Sequence, residues 1–420
     1  GTYGWPVGIF CHTVKRNAEQ YHQENIAFTL ISEGFCWMEY DYVIKNGRVI
    51  DPAAGVDGIA DIYVYNNRIA NPPVNDGTES GTVIDASGCL VLPGLIDFHT
   101  HLGYQLSDFG LNPDLYTLPN GITAAVDAGS GGTANFEGMY QNVFSKAMIM
   151  IRCFLNVAAT GIITERYLEN LDPTRFDEKK MELLFDRYRD VLLGFKVRAG
   201  HNTSGDLNLE PLKRAVELGE KFNCRVCLHA TNLDAGYDEI FRIMRKGDVV
   251  CHIFQGDNNH NILSGKSHVA DFVYAGREKG ILLDCACGRV NYSNRIMRAA
   301  FAEGFWPDII STDIIGFSIY GPKIHSLLSV MSQYYGMGMP LPDLVRAVTA
   351  TPAEVMNLQG KIGTLRPGTK ADIFVTKIQK NPLDITDKFG ETVHLEETFV
   401  PMLTLKEGHL AYRNILFDPY

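Results

Sequence analysis

The sequence has few cysteines, an excess of acidic over basic residues, and no long apolar run. Nine cysteines in 420 residues are too few for a disulfide scaffold, and most lie in apolar stretches, which predicts reduced thiols and a cytoplasmic protein. Lysine and arginine number 38 against 49 acidic residues, a net charge of −11. This balance argues against nonspecific binding to nucleic acid or anionic membranes. No run of 18 uncharged apolar residues occurs, so no membrane span is predicted.

The two ends of the sequence differ in pattern from its middle. Residues 1–37 show no clear period, and we predict an extension outside the fold that ends before a natural start at Met38, with a genuine N-terminal arm as the alternative. Residues 38–92 and 361–415 contain short apolar runs between Gly, Pro and Asn turns, typical of strands. We expect these two segments to pair into one small β-sandwich domain beside a central domain of residues 93–360.

The central segment repeats a strand, a loop and an amphipathic helix. This alternation predicts βαβ units and a parallel sheet. Eight units over about 250 residues are the number that closes a (β/α)8 barrel, so an α/β, TIM-like barrel is the predicted fold. An open doubly wound sheet is the alternative, but no G-x-G-x-x-G follows an early strand. The eight apolar runs are Gly94–Phe98, Ile122–Asp127, Ile149–Val157, Val191–Val197, Arg225–His229, Asp248–Ile253, Ile281–Cys285 and Ile309–Thr312.

Polar side chains occur where these strands end, which is where barrel enzymes carry their catalytic groups. Residues i and i+2 of a strand face the same side, so the pair in IDFHTH can bind one ion together. Single histidines at strand ends are more often structural, but six groups on five strands favour a site for zinc or a similar divalent metal. The six are His99, His101, Lys196, His229, His252 and Asp313.

Lys196 is unexpected among metal ligands because an ammonium repels cations. A neutral lysine that has captured CO2 becomes a carbamate, an anion whose two oxygens can bridge two metals, and nearby cations would favour that step. Arg198 shares a face with Lys196, and Arg289 follows the seventh strand. Either arginine could bind a substrate carboxylate through two hydrogen bonds, with a structural ion pair as the alternative for both. Arg198 is the better candidate, because its strand register places it on the metal-facing side. Cys227 is interpreted as a packing residue.

The motifs PGLIDFHTH, GFKVRAG, STD and VTATPAEVMNLQGKIGTLRPGTKADIFV together resemble the amidohydrolase superfamily. DAGSGGTANFEG and FKVRA are similar to its amidohydrolase/deacetylase group, which consists of binuclear zinc enzymes. The resemblance implies two divalent ions, zinc or alternatively manganese, and a catalytic role for Asp313. It also implies the ligands: one ion is bound by His99, His101 and Asp313, the other by His229 and His252, and carboxylated Lys196 bridges the two.

The expected function is hydrolysis of amide or ester bonds, by a deacetylase or deacylase that uses a metal-bridging hydroxide. The substrate is expected to be a small N-acyl or O-acyl carboxylate, and the oligomeric state is left open. A cyclic-amide hydrolase is the alternative, although Gly103 stands where dihydroorotases carry an arginine. A non-catalytic protein of the same fold is a third possibility, but such a protein would be expected to have lost some of the six ligands.

Overall fold

The computed structural model describes residues 39–73, 80–258, 260–265, 267–320 and 325–419. The predicted extension over residues 1–37 and the predicted start at Met38 lie outside these ranges. Within them, no helix is both long enough and apolar enough to cross a membrane.

Seven short strands begin the described chain. Asn46 adopts a positive φ of 63° between the first two, a conformation that asparagine tolerates better than most residues. The strands are β1 (Glu39–Lys45), β2 (Arg48–Asp51), β3 (Val56–Ile59), β4 (Ile62–Tyr65), β5 (Arg68–Ala70), β6 (Ser80–Asp85) and β7 (Leu90–Pro93).

The central segment forms a curled sheet of seven parallel strands. These are β8 (Leu95–Thr100), β9 (Ile122–Ala128), β10 (Met150–Asn156), β11 (Leu192–Ala199), β12 (Arg225–Ala230), β13 (Val249–Cys251) and, after a short hairpin of β14 (Leu263–Ser264) and β15 (His268–Val269), β16 (Leu282–Asp284). Their order in the sheet follows the chain, from β8 to β13 and then β16. The residues of β8 and β9 are all buried, as expected for parallel strands covered on both faces.

The predicted eighth strand closes this sheet without forming a regular strand. Ile309 forms an isolated parallel bridge with Asp284, and Ile314 forms one with Thr100 of β8. Between these bridges, the backbone and hydroxyl of Thr312 donate to the side chain of Asp97 on β8, at 3.1 and 2.6 Å. Together with backbone hydrogen bonds from Asp313 to His99 and from His101 to Ile314, this side chain joins the segment to β8. The predicted TIM-like fold is confirmed, with this difference at its eighth position.

Helices connect the strands and cover the barrel. In α5 the buried Leu212, Ala215 and Leu218 recur every three residues, so one face packs on the sheet. Fully burying each leucine contributes roughly 1.5–3 kcal/mol. The helices are α1 (Pro113–Thr117), α2 (Phe136–Asn142), α3 (Glu178–Arg187), α4 (His201–Ser204), α5 (Glu210–Lys221), α6 (Tyr237–Ile243), α7 (Asp271–Glu278), α8 (Asn294–Ala302), α9 (Gly316–Tyr320), α10 (Leu327–Gly336), α11 (Leu341–Ala347) and α12 (Ala350–Val355).

Strands from both ends of the described chain form two further sheets. The last three strands are β17 (Ile373–Thr386), β18 (Thr392–Lys406) and β19 (His409–Arg413). They extend a six-stranded sheet in the order β19-β18-β17-β7-β2-β3, while β5-β4-β1-β6 form a four-stranded sheet. Buried Ile44 and Val64 of the smaller sheet belong to one apolar core with Val91, Ile373 and Leu403 of the larger. The predicted β-sandwich is therefore present, and the exact domain bounds stay a prediction.

Candidate metal centre

The end of β8 places two imidazoles beside the carboxylate of Asp313. Nε2 of His99 lies 3.6 Å and Nε2 of His101 lies 3.3 Å from Oδ1 of Asp313. Both histidines are buried, whereas the Asp313 side chain keeps 15% of its surface exposed. These ligand atoms lie within 4.8 Å of one another, close enough to hold one metal ion.

Asp313 reaches this position because the chain turns sharply after the eighth strand segment. Its φ is 54°, a left-handed conformation that is uncommon outside glycine and clusters at functional sites. Its backbone N–H donates to the carbonyl of His99 at 2.7 Å, and Asn291 donates to Oδ2 at 2.8 Å. Burial raises the pKa of the carboxyl group, but the hydrogen bond with His101 and the charges of neighbouring histidines outweigh it. The pKa of Asp313 consequently lies well below its usual range.

His229 and His252 form a second imidazole pair. Nδ1 of His229 lies 2.8 Å from Nε2 of His252. His252 donates from Nδ1 to the carbonyl of Ala286 at 2.6 Å, which leaves the lone pair of Nε2 directed at His229. The His252 ring centroid is 5.3 Å from that of His99, so this pair adjoins the first group. The two groups are therefore neighbours within one site.

Lys196 extends from β11 between the two groups of histidines. Nζ lies 3.2 Å from Nε2 of His99 and 3.9 Å from Sγ of Cys227, and the residue is 1% exposed. Burial lowers the pKa of the amine, but Cys227, Cys251, Asp313 and Asp284 outweigh it, so the protein's own groups raise the pKa of Lys196. Capture of CO2 would need the neutral amine, and bound cations would favour it by lowering this pKa.

Gly129, at the end of β9, makes room for the lysine. Its φ is 85°, and a Cβ added there would lie 2.5 Å from Cβ of Lys196. Real Cβ atoms do not approach so closely, so a side chain at residue 129 would displace the stem of Lys196. The Gly-rich segment after β9 thus has a local packing role.

Two carboxylates that the sequence analysis did not single out lie behind the imidazoles of His99 and His101, one directly and one through a serine. Nδ1 of His99 lies 3.3 Å from Oδ2 of Asp284. Nδ1 of His101 lies 3.0 Å from Oγ of Ser130, which itself donates to Asp127 at 2.8 Å. Such contacts fix the tautomer and leave Nε2 free to bind a metal. The sequence did contain a sign of these carboxylates, because Asp127 in the segment DAGS and Asp284 in the segment LLD both lie at strand ends.

Asp97 lies two residues before His99 on β8. Its carboxylate accepts hydrogen bonds from Thr312 and from the hydroxyl of Tyr116, the latter at 3.0 Å. Burial raises the pKa of Asp97 to about 7. Asp97 therefore ties β8 to the eighth strand segment.

The donor set fits divalent cations. Burial lowers the pKa of His252 to about 3 and those of His99 and His229 well below the usual value for histidine. These imidazoles are consequently neutral at physiological pH, which is the form that binds metals. Nitrogen and carboxylate donors of this kind suit zinc and related first-row ions.

A cavity of about 320 Å³ opens above these residues. This volume suits a small ligand. Polar groups of the site line its floor, and apolar side chains including Phe109, Ile162 and Leu168 line its walls. Leu168 is 64% exposed, so an apolar surface continues to the mouth.

The two arginines predicted to bind substrate both line this cavity, but they differ in exposure and in their charged partners. Arg198 donates from Nε and from a terminal nitrogen to both carboxylate oxygens of Glu169, a residue that the sequence analysis did not identify. The Glu169 side chain is only 2% exposed, so this is a buried ion pair, which was the alternative considered for Arg198. Arg289 is exposed at the rim, and no side-chain partner for it is found among the described residues.

A curled parallel barrel with imidazole and carboxylate donors clustered at the ends of its strands defines a metal-dependent hydrolase. More specifically, the chain belongs to the amidohydrolase family, because the model of the "Amidohydrolase family" matches residues 90–409.

Individual relatives agree with this membership. "Deacetylase Atu3266" of Agrobacterium fabrum is 31% identical over 319 residues, which are 76% of this chain and 78% of that protein. A "Deacetylase" of Enterococcus faecalis is 27% identical over 375 residues, which are 89% of this chain and 99% of that protein. Crystal structures of an adenine deaminase and a dihydroorotase superpose with TM-scores of 0.80 and 0.78 at 26% and 27% identity. They cover 90% and 88% of this chain and 100% and 98% of those chains.

Proposed function

We propose that this chain is a binuclear metal-dependent deacetylase or deacylase that hydrolyses a small N-acyl or O-acyl carboxylate. The observation that carries the proposal is the convergence of four imidazoles, Lys196 and Asp313 at one end of the barrel, where His101, His229, Lys196 and Asp313 line one small cavity. Relatives named as deacetylases, aligned over most of the chain, support the choice of acyl substrates.

The proposal assigns a role to each polar residue of the candidate site. Two ions of zinc, or alternatively manganese, would be held by two groups of ligands. One group consists of His99, His101 and Asp313, and the other of His229 and His252. The carbamate formed from Lys196 and CO2 would lie between the two groups. Bound cations of this kind polarise a carbonyl group and lower the pKa of water. Asp313 enters as a carboxylate, positioned by Asn291. It accepts the proton of the attacking water and returns it to the leaving amine or alkoxide.

Arg289 is the better candidate for the substrate carboxylate. Arg198 already has its charge balanced by Glu169, so a second carboxylate there would meet an anion at the same guanidinium. Arg289 lies at the rim of the same cavity without such a partner among the described residues. In a protein of net charge −11, an anionic substrate needs a short-range positive group of this kind.

The test is a screen of the full-length protein loaded with Zn²⁺ or Mn²⁺. Matched sets of N-acetyl and O-acetyl carboxylates, their neutral methyl esters, and cyclic imides are compared by product release. We expect turnover of the acyl carboxylates and slower turnover of the methyl esters, with none in a His101→Ala control. Turnover confined to cyclic imides would favour the cyclic-amide hydrolase, which the similarity to a dihydroorotase structure supports. No turnover in any set by protein that holds both metals would contradict the proposal.

A further inference from the structure

Two buried thiols lie directly beside the candidate metal centre. Sγ of Cys227, on β12, is 3.4 Å from Sγ of Cys251, on β13, and the two residues are 1% and 0% exposed. Cys227 stands opposite Lys196 in the pairing of β11 with β12, which directs its side chain towards the lysine. The thiols are therefore inside the barrel, next to groups of the site.

A nitrogen of His99 completes a group of three donors. The ligand atoms of His99, Cys227 and Cys251 lie within 4.8 Å of one another. Nδ1 of His99 faces Asp284, whereas Nε2 lies 3.2 Å from Nζ of Lys196, which also contacts Sγ of Cys227, so Nε2 is the nitrogen on the side of the thiols. Tetrahedral coordination with typical zinc–sulfur and zinc–nitrogen bond lengths separates such donors by about 3.5–3.8 Å. The two sulfurs, 3.4 Å apart, are already close to such a separation, and all three atoms lie within 4.8 Å of one another.

This group contains two thiols, whereas the other candidate ligands are imidazoles, a carboxylate and the lysine. Thiolates prefer soft cations, whereas imidazole and carboxylate suit harder first-row ions. Nε2 of His99 has one lone pair, so it can bind a single cation at a time. Occupation of one set of donors therefore removes a ligand from the other.

We propose that Cys227, Cys251 and His99 form a separate site for one thiophilic divalent cation such as Cd²⁺, and that this site competes for His99 with the site that contains His101 and Asp313. The inference goes beyond acyl hydrolysis and does not depend on the substrate. The amine of Lys196, once deprotonated, is a fourth donor beside the same space.

The test is a titration of the chelator-treated full-length protein with Cd²⁺ alone. Thiolate ligation produces ultraviolet charge-transfer absorption, and we expect this absorption to rise until one equivalent is bound. Cys227→Ala and Cys251→Ala should weaken this binding by more than about a hundredfold, since the loss of a mere second-layer partner already costs 10–100-fold. Cys153→Ala, at a buried cysteine of β10 outside this group, is the matched control and should leave the titration unchanged.

A measurement on the unsubstituted protein tests the proposal even if the cysteine variants fail to fold. The cadmium-113 NMR shift reports the number of sulfur ligands, and two are expected. A shift typical of nitrogen and oxygen ligands alone, or absorption that persists in both folded variants, would overturn the proposal. Failure of the acyl hydrolysis screen would leave these results untouched, so the two proposals can be separated.

Discussion

The ion pair between Arg198 and Glu169 offers a sharp test of how the cavity is built. Glu169→Gln keeps the shape of the side chain but removes its charge, so Arg198 loses one charge-assisted hydrogen bond and its counter-ion. Breaking a buried ion pair by removing one partner typically costs about 3–5 kcal/mol. Arg198 keeps 18% of its side chain exposed to the cavity, where water can solvate the guanidinium. We therefore expect Glu169→Gln to lower the free energy of unfolding by a smaller amount, about 2–3 kcal/mol.

The stability assay is a double-mutant cycle by thermal unfolding. A chain of about 400 residues has an unfolding entropy of roughly 0.8 kcal/mol per kelvin, so Glu169→Gln should lower the Tm by about 3 °C. Arg198→Met should cost a similar amount, because it leaves Glu169 buried and unpaired. The double variant should lose far less than the sum of the two. Additive losses within about 0.5 kcal/mol would refute the ion pair as a coupled unit.

The same variants test which arginine recognises a carboxylate. Arg198→Met should reduce turnover of anionic and neutral acyl substrates to a similar extent, because Glu169 already balances its charge. Arg289→Met should reduce kcat/KM selectively for the anionic substrates, by roughly tenfold or more for a solvent-exposed contact. Arg295→Met, at an exposed arginine of α8 outside the cavity, is the control. The opposite selectivity would return the role to Arg198.

Further predictions concern the metal centre. Elemental analysis should find close to two divalent ions per chain, and finding none after reloading with Zn²⁺ or Mn²⁺ would contradict the site. Lys196→Ala should lose metal and activity, with partial rescue by small carboxylic acids; unchanged metal content and kcat would make the lysine structural. Ser130→Ala should weaken metal affinity about 10–100-fold in a competition titration, since it frees the His101 ring; unchanged affinity would contradict this. Gly129→Ala should displace Lys196 and lower metal content, whereas exposed Gly138→Ala, with nothing near its Cβ, should not.

The location of the residues at the strand ends was predictable, because all parallel strands of a barrel end at the same face. His99, His101 and Lys196 follow the two-residue alternation of side chains in a strand, so their positions could be read from spacing. The same rule fails where the backbone leaves the extended conformation. Cys251 and His252 are adjacent, yet the positive φ of 62° at His252 lets both reach the site. The packing role predicted for Cys227 is confirmed by its place in a buried apolar cluster, and its contact with Lys196 is an additional finding.

Contacts made by loops were beyond the reach of sequence patterns. Glu169 lies in an irregular segment between β10 and α3, and no periodicity indicates that it contacts Arg198 on β11. The eighth strand was predicted from its apolar run, but it forms two isolated bridges instead of a regular strand, and hydrogen bonds between Asp97 and Thr312 add to them. Both are tertiary arrangements that depend on the closed barrel.

The sheet shared by β7 and β17 has a consequence for how the chain folds. Leu92 pairs with Phe374, so the partner of an early strand is synthesised only after the whole barrel has emerged. Contacts of such long sequence separation form slowly, because the chain must close a very large loop first. Until then one edge of β7 has no strand beside it, and an unpaired edge can bind another chain. During synthesis, association through this edge therefore competes with folding of the barrel, and truncation before residue 373 would make that exposure permanent.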